Sequence, residues 1–190
     1  MPKPRLFLVL LLVGCVAVWL GLLGLERSSR QGRGQNYSRI EDGLYVGGAV
    51  AEPPPGTRAV LNLCERPDSY RTDISLWEPI PDSAPAPGLD WLRRMVEFLD
   101  AQRRADVPTY VHCRNGVSRS GLVVTAYEMF KNHWTRDQAL AFVRSSRPEI
   151  RPNPAFMQRL VEWERVVKRQ PTAGKPVNAA GRPSAELPDQ

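Results

Sequence analysis

The sequence is poor in the side chains that bind metal ions or form disulfide bonds. Its 190 residues include only three cysteines and two histidines, and these form no metal-ligand spacing. The sequence therefore predicts no metal ion and no cofactor. So few cysteines also exclude a disulfide framework, which favours a reducing compartment. The net charge is +6, but basic and aromatic residues are not interleaved as in nucleic-acid-binding segments, so no nucleic-acid partner is expected.

One of the three cysteines lies in a segment suited to anion binding. His112 to Ser120 read His-Cys-Arg-Asn-Gly-Val-Ser-Arg-Ser. An apolar run from Val107 to Val111 precedes the segment, and apolar residues at helical spacing follow it, which predicts a strand-to-helix turn. Such a turn points several backbone N–H groups at one anion, near the positive end of the helix dipole. Gly116 permits backbone angles that a side chain would disfavour.

Two side chains in this segment supply the chemistry. Cys113 is a strong nucleophile as a thiolate, and a helix N-terminus lowers the pKa of a cysteine. Arg119 offers a planar fork that binds two phosphate oxygens. Ser118 and Ser120 add hydroxyl groups, and His112 is expected to fix the cysteine loop by hydrogen bonds from behind. A cysteine beside a strand is ordinarily a small buried apolar residue, but these neighbours favour attack on a phosphate ester.

The nine residues resemble the signature His-Cys-x-x-Gly-x-x-Arg-Ser of the cysteine-dependent protein tyrosine phosphatase superfamily, in its dual-specificity branch. Rhodanese sulfurtransferases also have Cys-Arg-x-Gly loops, but they typically place the arginine one position earlier, so phosphate fits better than sulfur. Asn115 stands where many dual-specificity members have alanine. The resemblance implies that one stretch of residues binds the phosphate: Arg114, Asn115, Gly116, Val117, Ser118 and Arg119.

The resemblance extends over residues 37–170. Tyr37 to Gly48 is similar to the opening segment of dual-specificity phosphatase domains, and Arg147 to Phe156 is similar to the proline-rich lead into their last helix. Alternating strand and helix patterns predict an α/β fold, a single phosphatase domain with a mainly parallel central sheet flanked by helices. We expect strands at Arg58–Glu65 and Leu76–Ile80, and helices at Leu89–Arg104, Ser118–His133, Arg136–Ser146 and Pro154–Lys168.

A general acid must protonate the leaving group, and Asp82 resembles the family's acid in its placement. An aspartate among prolines is ordinarily a turn residue. Glu78 and Asp90 are the alternatives, with Asp90 expected in the first turn of the next helix. The resemblance implies that Cys113 attacks phosphorus while Asp82 protonates the departing oxygen. Water would then release phosphate with Asp82 as the base, and Ser120 would help the thiolate leave.

The sequence leaves the substrate open. The loop has a single basic residue before its arginine, and its ending resembles protein phosphatases, which favours phosphotyrosine, phosphoserine and phosphothreonine in proteins. A phospholipid phosphatase acting on a phosphoinositide or phosphatidylglycerophosphate is the alternative, and an inactive phosphate-binding module is a third. Arg114, Arg147 and Arg151 are expected to add a positive field around the substrate.

Cys64 has two interpretations. The run Asn62 to Arg66 resembles a segment of the tensin-type lipid phosphatases, which implies that Cys64 is a redox partner that pairs with Cys113 under oxidation. A buried structural cysteine is the simpler interpretation.

Leu6 to Leu25 form a charge-free run of twenty residues, long enough at 1.5 Å per residue to cross a bilayer core of about 30 Å. No Ala-x-Ala cleavage site follows, so an uncleaved transmembrane helix is favoured over a signal peptide. The residues before Cys15 resemble a bacterial lipoprotein box, but the apolar run continues beyond Cys15. Either route places the protein on a membrane.

The flanking charges predict the orientation of this membrane protein. More basic residues follow the span than precede it, which predicts a single-pass protein with its catalytic domain in the cytoplasm. The resulting domain order is an anchor at 1–25, a flexible basic linker at 26–36, a catalytic domain at 37–170 and a disordered tail at 171–190. The partners expected are the membrane and a phosphorylated protein or phospholipid substrate.

Overall fold

The computed structural model describes residues 35–169 of the chain, which form an α/β fold around one sheet. The strands of this sheet are β1 Tyr37–Glu41, β2 Leu44–Gly47, β3 Ala59–Asn62, β4 Ile74–Trp77 and β5 Thr109–His112. They lie in the order β1-β2-β5-β3-β4. The pairings among β2, β5, β3 and β4 are parallel, whereas β1 pairs with β2 in the antiparallel sense. The prediction of a mainly parallel sheet is confirmed, and β1 makes the sheet mixed.

Strand β5 lies at the centre of the sheet, and the strand register places its end beside the ends of its neighbours. All four residues of β5 and of β3 are buried. Gly47 of β2, His112 of β5 and Asn62 of β3 pair at the same level. Because the carboxyl ends of parallel strands open at one edge of a sheet, the segments after β2, β3 and β5 meet there. The cysteine segment follows β5 and therefore lies in the middle of this edge.

The helices of the described part are α1 Leu89–Arg104, α2 Arg119–Asn132, α3 Arg136–Ser146 and α4 Pro154–Arg169. Each agrees with its predicted bounds to within one residue at either end. Helix α2 is buried on every side from Arg119 to Met129, as expected of a helix in the middle of a domain. The indole of Trp163 in α4 donates to the Ala126 carbonyl of α2 at 3.0 Å. Helix α2, which begins at the end of the cysteine segment, is thus buried and hydrogen-bonded to α4.

Two predicted strands are longer than the observed ones. The expected strand at Leu76–Ile80 is wrong beyond Trp77, where β4 ends. The Glu78 backbone N–H still donates to the Asn62 carbonyl at 2.9 Å. Prolines follow at positions 79 and 81, and because they have no backbone N–H they cannot continue the hydrogen bonds of the sheet. The strand expected to run to Glu65 ends at Asn62. There the Asn62 side chain accepts a hydrogen bond from the Cys64 backbone N–H at 2.7 Å and turns the chain into a loop.

The membrane-related predictions concern the chain termini. Among residues 35–169, no helix is both long enough and apolar enough to cross a bilayer. The predicted span at residues 6–25, with Cys15 inside it, lies outside the described residues, as do most of the predicted linker and the tail at 171–190.

Candidate active site

The cysteine segment forms the predicted turn between β5 and α2. It packs closely against the end of β2. The Cys113 backbone N–H donates to the Gly47 carbonyl at 3.3 Å, and the Ala49 backbone N–H donates to the Arg114 carbonyl at 3.1 Å. Gly116 has a φ of +69°, and a Cβ there would lie 2.2 Å from the Gly47 carbonyl carbon. Glycine is therefore required both by the backbone angle and by the space. Residues 113–118, with Arg119 at the start of α2, are called the phosphate loop below.

The Cys113 thiol is set up to ionise. Burial raises its pKa, but hydrogen bonds from the Ser120 hydroxyl and from the backbone N–H groups of Ser120, Val117 and Gly116 outweigh that effect and hold the pKa below its usual value. The Ser120 oxygen lies 3.4 Å from the sulfur. The Cys113 residue is nevertheless only 2% exposed. These contacts stabilise a thiolate, the form of cysteine that acts as a nucleophile.

Arg147 orients the backbone of the phosphate loop from behind. Its Nε donates to the Gly116 carbonyl at 2.7 Å, and its Nη2 donates to the Asn115 carbonyl at 3.3 Å. In a trans peptide the C=O and the following N–H point in opposite directions. The N–H groups of Gly116 and Val117 therefore face the Cys113 sulfur. Arg147 is buried and supports the loop from inside the protein. Its contribution to a positive field around the substrate stays a prediction.

Arg119 is anchored through one nitrogen of its guanidinium group. Its Nη1 donates to the carbonyl oxygens of Leu63 at 3.3 Å and Ile80 at 3.1 Å, and to Glu65 Oε1 at 2.6 Å. Its buried Nε has no hydrogen-bond partner within residues 35–169. A guanidinium group has five N–H donors in a rigid fork. The Nε side therefore remains available to two oxygens of a phosphate group.

Asp82 is brought to the phosphate loop, as its predicted role requires. The Ser118 hydroxyl donates to Asp82 Oδ1 at 2.6 Å, and Asn153 Nδ2 donates to the same oxygen at 2.9 Å. Asn153 also donates its backbone N–H to the Ser118 hydroxyl at 3.0 Å. The carboxylate is thus held beside the loop from two sides.

The two alternative acids lie elsewhere. Glu78 accepts a hydrogen bond from the Trp91 indole at 3.1 Å. Asp90 lies in the first turn of α1, as expected. Of the three acidic residues considered, Asp82 is the one that the structure joins to the phosphate loop.

His112 contacts the segment after β3 through its ring and not the cysteine loop. Its Nε2 lies 3.0 Å from Asp68 Oδ1, and its Nδ1 lies 3.6 Å from the Cys64 sulfur. The ring stacks on Tyr110 with the centroids 5.1 Å apart. The ring therefore lies against the loop after β3, whereas it was expected to contact the cysteine loop.

Cys64 is buried beside the active site. Burial, and to a lesser degree the nearby Cys113, raises the pKa of its thiol to about 11. Cys64 is therefore a neutral thiol at physiological pH, whereas Cys113 is favoured as the thiolate. Both cysteines are free thiols.

A cavity of about 540 Å³ adjoins the phosphate loop. Its walls come from the ends of β2 and β5 and from the loop after β3: Ala49, Val50, residues 64–69, His112 and Arg114. Within the described residues, no group of three or more His, Cys, Asp or Glu side chains is arranged to hold a metal ion.

Two residues of this site, Glu65 and Asn153, were not predicted to serve it, and Arg147 was expected only as a source of positive field. Glu65 pairs with Arg119, Asn153 contacts Asp82, and Arg147 supports the loop. Asn153 and Arg147 fall in the segment that resembles the family's lead into its last helix, and that resemblance was the available signal. No local pattern marked Glu65.

The fold and the site together define a class. A thiol of lowered pKa, backbone N–H groups directed at it and a buried arginine, all on one strand-to-helix turn, are the features of the cysteine-dependent protein tyrosine phosphatase superfamily. Residues 56–166 match the family described as the dual specificity phosphatase, catalytic domain. The chain belongs to this dual specificity phosphatase family.

Relatives of known sequence support this assignment. Human dual specificity protein phosphatase 16 is 34% identical over 115 residues, which cover 60% of this chain and 17% of that protein. Human dual specificity protein phosphatase 8 is 36% identical over 107 residues, covering 56% of this chain and 17% of that protein. The aligned region is thus a small part of each of these longer proteins.

Solved structures share the fold. The crystal structure of human DUSP28 has a TM-score of 0.65 and 27% sequence identity, covering 70% of this chain and 96% of that one. The crystal structure of PTPMT1 in complex with PI(5)P has a TM-score of 0.64 and 21% identity, covering 70% and 97% of the respective chains. At that identity the second likeness concerns the fold alone.

Proposed function

We propose that the protein hydrolyses phosphate monoesters through a phosphocysteine intermediate, with phosphotyrosine, phosphoserine and phosphothreonine in proteins as its substrates. The observation that supports this most is the meeting of a Cys113 thiol of lowered pKa with the free guanidinium edge of Arg119 on one anion-binding turn. The family and its protein-phosphatase relatives support the choice of a phosphorylated protein as the substrate.

In the first step the Cys113 sulfur attacks phosphorus, an S–P bond forms and the P–O bond to the substrate breaks. Asp82 gives its proton to the departing oxygen. The N–H groups of the loop and the Nε side of Arg119 bind the phosphoryl oxygens as their charge spreads in the transition state. In the second step water attacks phosphorus, Asp82 takes a proton from it, and the sulfur leaves as a thiolate that Ser120 stabilises.

The direct test is phosphate release by the purified full chain in detergent micelles. Peptides with phosphotyrosine, phosphoserine or phosphothreonine would be compared with phosphoinositides and phosphatidylglycerophosphate in mixed micelles. We expect peptides to have the higher kcat/KM. Higher turnover of a lipid would favour the second candidate, a phospholipid phosphatase with the same catalytic residues, for which the PI(5)P bound to the structural neighbour PTPMT1 is the motivating observation. Release from neither class would contradict the proposal.

Asp82→Asn is expected to lower kcat/KM, which reports the attack of Cys113 and not the later hydrolysis of the phosphocysteine, about 10²- to 10³-fold for phosphoserine peptides, because the alkoxide then leaves without a proton. For p-nitrophenyl phosphate, whose leaving group needs no proton, the loss in kcat/KM should be only a few-fold. Steady-state kinetics on both substrates check this. Asp90→Asn is the matched control, since Asp90 is exposed in α1, and it should retain wild-type rates. Equal losses on the two substrates would contradict the acid role of Asp82.

The redox role of Cys64 is also part of the proposal. Oxidation of Cys113 by peroxide gives a sulfenic acid; attack by the Cys64 sulfur would form the disulfide and release water. The two cysteines follow adjacent strands, β3 and β5, which supports this pairing. Cys64→Ser should then recover less activity than wild type when a thiol is added after peroxide. Equal recovery would leave Cys64 as a structural residue.

The attachment to a membrane is a further part of the proposal, and it rests on the charge-free run at residues 6–25. A single-pass helix there would place the phosphate loop close to a membrane surface, with the catalytic domain in the cytoplasm. The expressed full chain should stay in the membrane pellet after an alkaline carbonate wash. Its release into the supernatant would contradict a transmembrane anchor.

A further inference from the structure

Cys64, His112 and Asp68 form a row of side chains beside the phosphate loop. The Nδ1 atom of His112 lies 3.6 Å from the Cys64 sulfur, and its Nε2 atom lies 3.0 Å from Asp68 Oδ1. The histidine side chain is only 1% exposed, so water competes little for either nitrogen. A thiol, an imidazole and a carboxylate in this order can turn a neutral cysteine into a nucleophile.

The Asp68 carboxylate decides which nitrogen of His112 can accept a proton. A negative charge beside one ring nitrogen favours the ring proton there and leaves the lone pair on the other nitrogen. Nε2 is buried and makes no regular hydrogen bond within residues 35–169, so the charge of Asp68 acts on it directly. The lone pair of Nδ1 then faces the Cys64 sulfur and can take the thiol proton.

Cys64 needs a base because its surroundings disfavour a thiolate. Burial, followed by the nearby Cys113, raises the pKa of the Cys64 thiol to about 11, and Asp68 adds to this effect. A Cys113 thiolate therefore keeps Cys64 neutral, since two like charges repel each other. Oxidation of Cys113 to a sulfenic acid replaces that thiolate by a neutral group. The repulsion then disappears at the stage where Cys64 has to act as a nucleophile.

We propose that His112, oriented by Asp68, is the base that activates Cys64 to attack Cys113 after peroxide has oxidised Cys113. This inference rests on the pairing of the two cysteines in the proposed function. The Nδ1 atom takes the proton of the Cys64 thiol, and the Cys64 sulfur attacks the Cys113 sulfur. The S–S bond forms while the S–O bond of the sulfenic acid breaks. The oxygen leaves as hydroxide and gains a proton from solvent to give water, and His112 returns its proton to solvent.

The test measures how fast the disulfide closes after one addition of hydrogen peroxide to the full chain in detergent micelles. Samples are quenched in acid at successive times, and their free thiols are alkylated. Parallel samples contain dimedone, which traps the sulfenic acid. Mass spectrometry then gives two rate constants. Oxidation of Cys113 scales with the peroxide concentration, whereas closure of the disulfide does not.

Asp68→Asn is expected to slow closure about 10- to 30-fold, because the asparagine amide can donate to Nε2 and place the ring proton on Nδ1. The direction of the change is decisive. The Asp68 charge helps to raise the pKa of Cys64, so its loss would speed closure if Asp68 acted only through that charge. The rate constant for oxidation of Cys113 should not fall.

Asp73→Asn is the matched control for this variant. It removes a carboxylate from the same loop after β3, but this carboxylate pairs with Arg58 and is 61% exposed. Both rate constants should match those of wild type.

His112→Ala is expected to slow closure about 10²-fold, as loss of a general base does. Imidazole added to the buffer should restore part of the rate, because removal of the ring enlarges a cavity that Cys64 already lines. Imidazole should leave the wild-type rate unchanged. If His112→Ala does not fold, Asp68→Asn decides the question by itself.

The inference is overturned if Asp68→Asn closes the disulfide at the wild-type rate or faster. It is also overturned if imidazole fails to speed closure in a folded His112→Ala. A wild-type protein that forms the Cys113 sulfenic acid but never the disulfide would refute both the inference and the pairing of the cysteines. Phosphate release is a separate assay, so a failure of the phosphatase function would be seen there and not in the rate of disulfide closure.

Discussion

Cys113→Ser is expected to lower kcat by at least about 10⁴-fold on every phosphate ester that the wild-type protein hydrolyses. The hydroxyl of serine is almost fully protonated at physiological pH, so the N–H groups that stabilise a thiolate at this position have no anion to stabilise. Arg119 and the loop backbone are unchanged in the variant. Inorganic phosphate should therefore still bind, which calorimetry or protection from thermal unfolding would detect.

Cys64→Ser is the matched control for this variant, because Cys64 is also a buried thiol at the same edge of the sheet. Its kcat should lie within a few-fold of wild type in reducing buffer. The two cysteines should also differ in alkylation by iodoacetate. Cys113 should react at a pH below that of an ordinary thiol, whereas Cys64, with a pKa of about 11, should not. A Cys113→Ser variant that kept its turnover would contradict covalent catalysis.

Arg119→Lys is expected to lower kcat/KM by about 10³-fold although the positive charge is retained. A lysine has a single ammonium group and cannot contact Leu63, Ile80 and Glu65 at one side while it presents a planar pair of donors at the other. Steady-state kinetics with a phosphotyrosine peptide measure the loss. Vanadate affinity should fall with it.

Arg66→Lys is the control for Arg119→Lys, since the Arg66 side chain is exposed in the loop that borders the cavity. It should change kcat/KM by no more than about 2-fold, as is usual for surface substitutions. If Arg119→Lys also retained nearly full activity, the arginine would act only as a positive charge, and the fork geometry of its guanidinium group would not matter for catalysis.

The helices were predictable because apolar residues recur along each of them at helical spacing. Helix α3, for example, begins at a capping box, in which Thr135 and Gln138 exchange hydrogen bonds. The phosphate loop was predictable for a different reason: its residues are contiguous, so the chemistry and the local structure are read from one stretch. The strands were less well placed, as at Glu78 to Ile80, where prolines at positions 79 and 81 flank Ile80 in a segment that leaves the sheet.

The support around the loop could not be derived from sequence spacing. Glu65 meets Arg119 across 54 positions of the chain, and Asn153 meets Asp82 across 71 positions. Such contacts depend on which strands are neighbours in the sheet. The sheet order places β3 beside β5, which brings the segment of Glu65 to the phosphate loop. An arginine such as Arg147, which turns inward to bind loop carbonyls, has the same local sequence features as one that faces solvent.

The measurement that tests the central claim most directly is mass spectrometry of the full chain quenched in acid during turnover of a phosphotyrosine peptide. We expect a peptide containing Cys113 to carry one phosphoryl group, and Asp82→Asn to accumulate more of it with p-nitrophenyl phosphate, because water attack then lacks its base. Steady release of phosphate with no phosphoryl group on Cys113 in either protein would contradict the phosphocysteine mechanism.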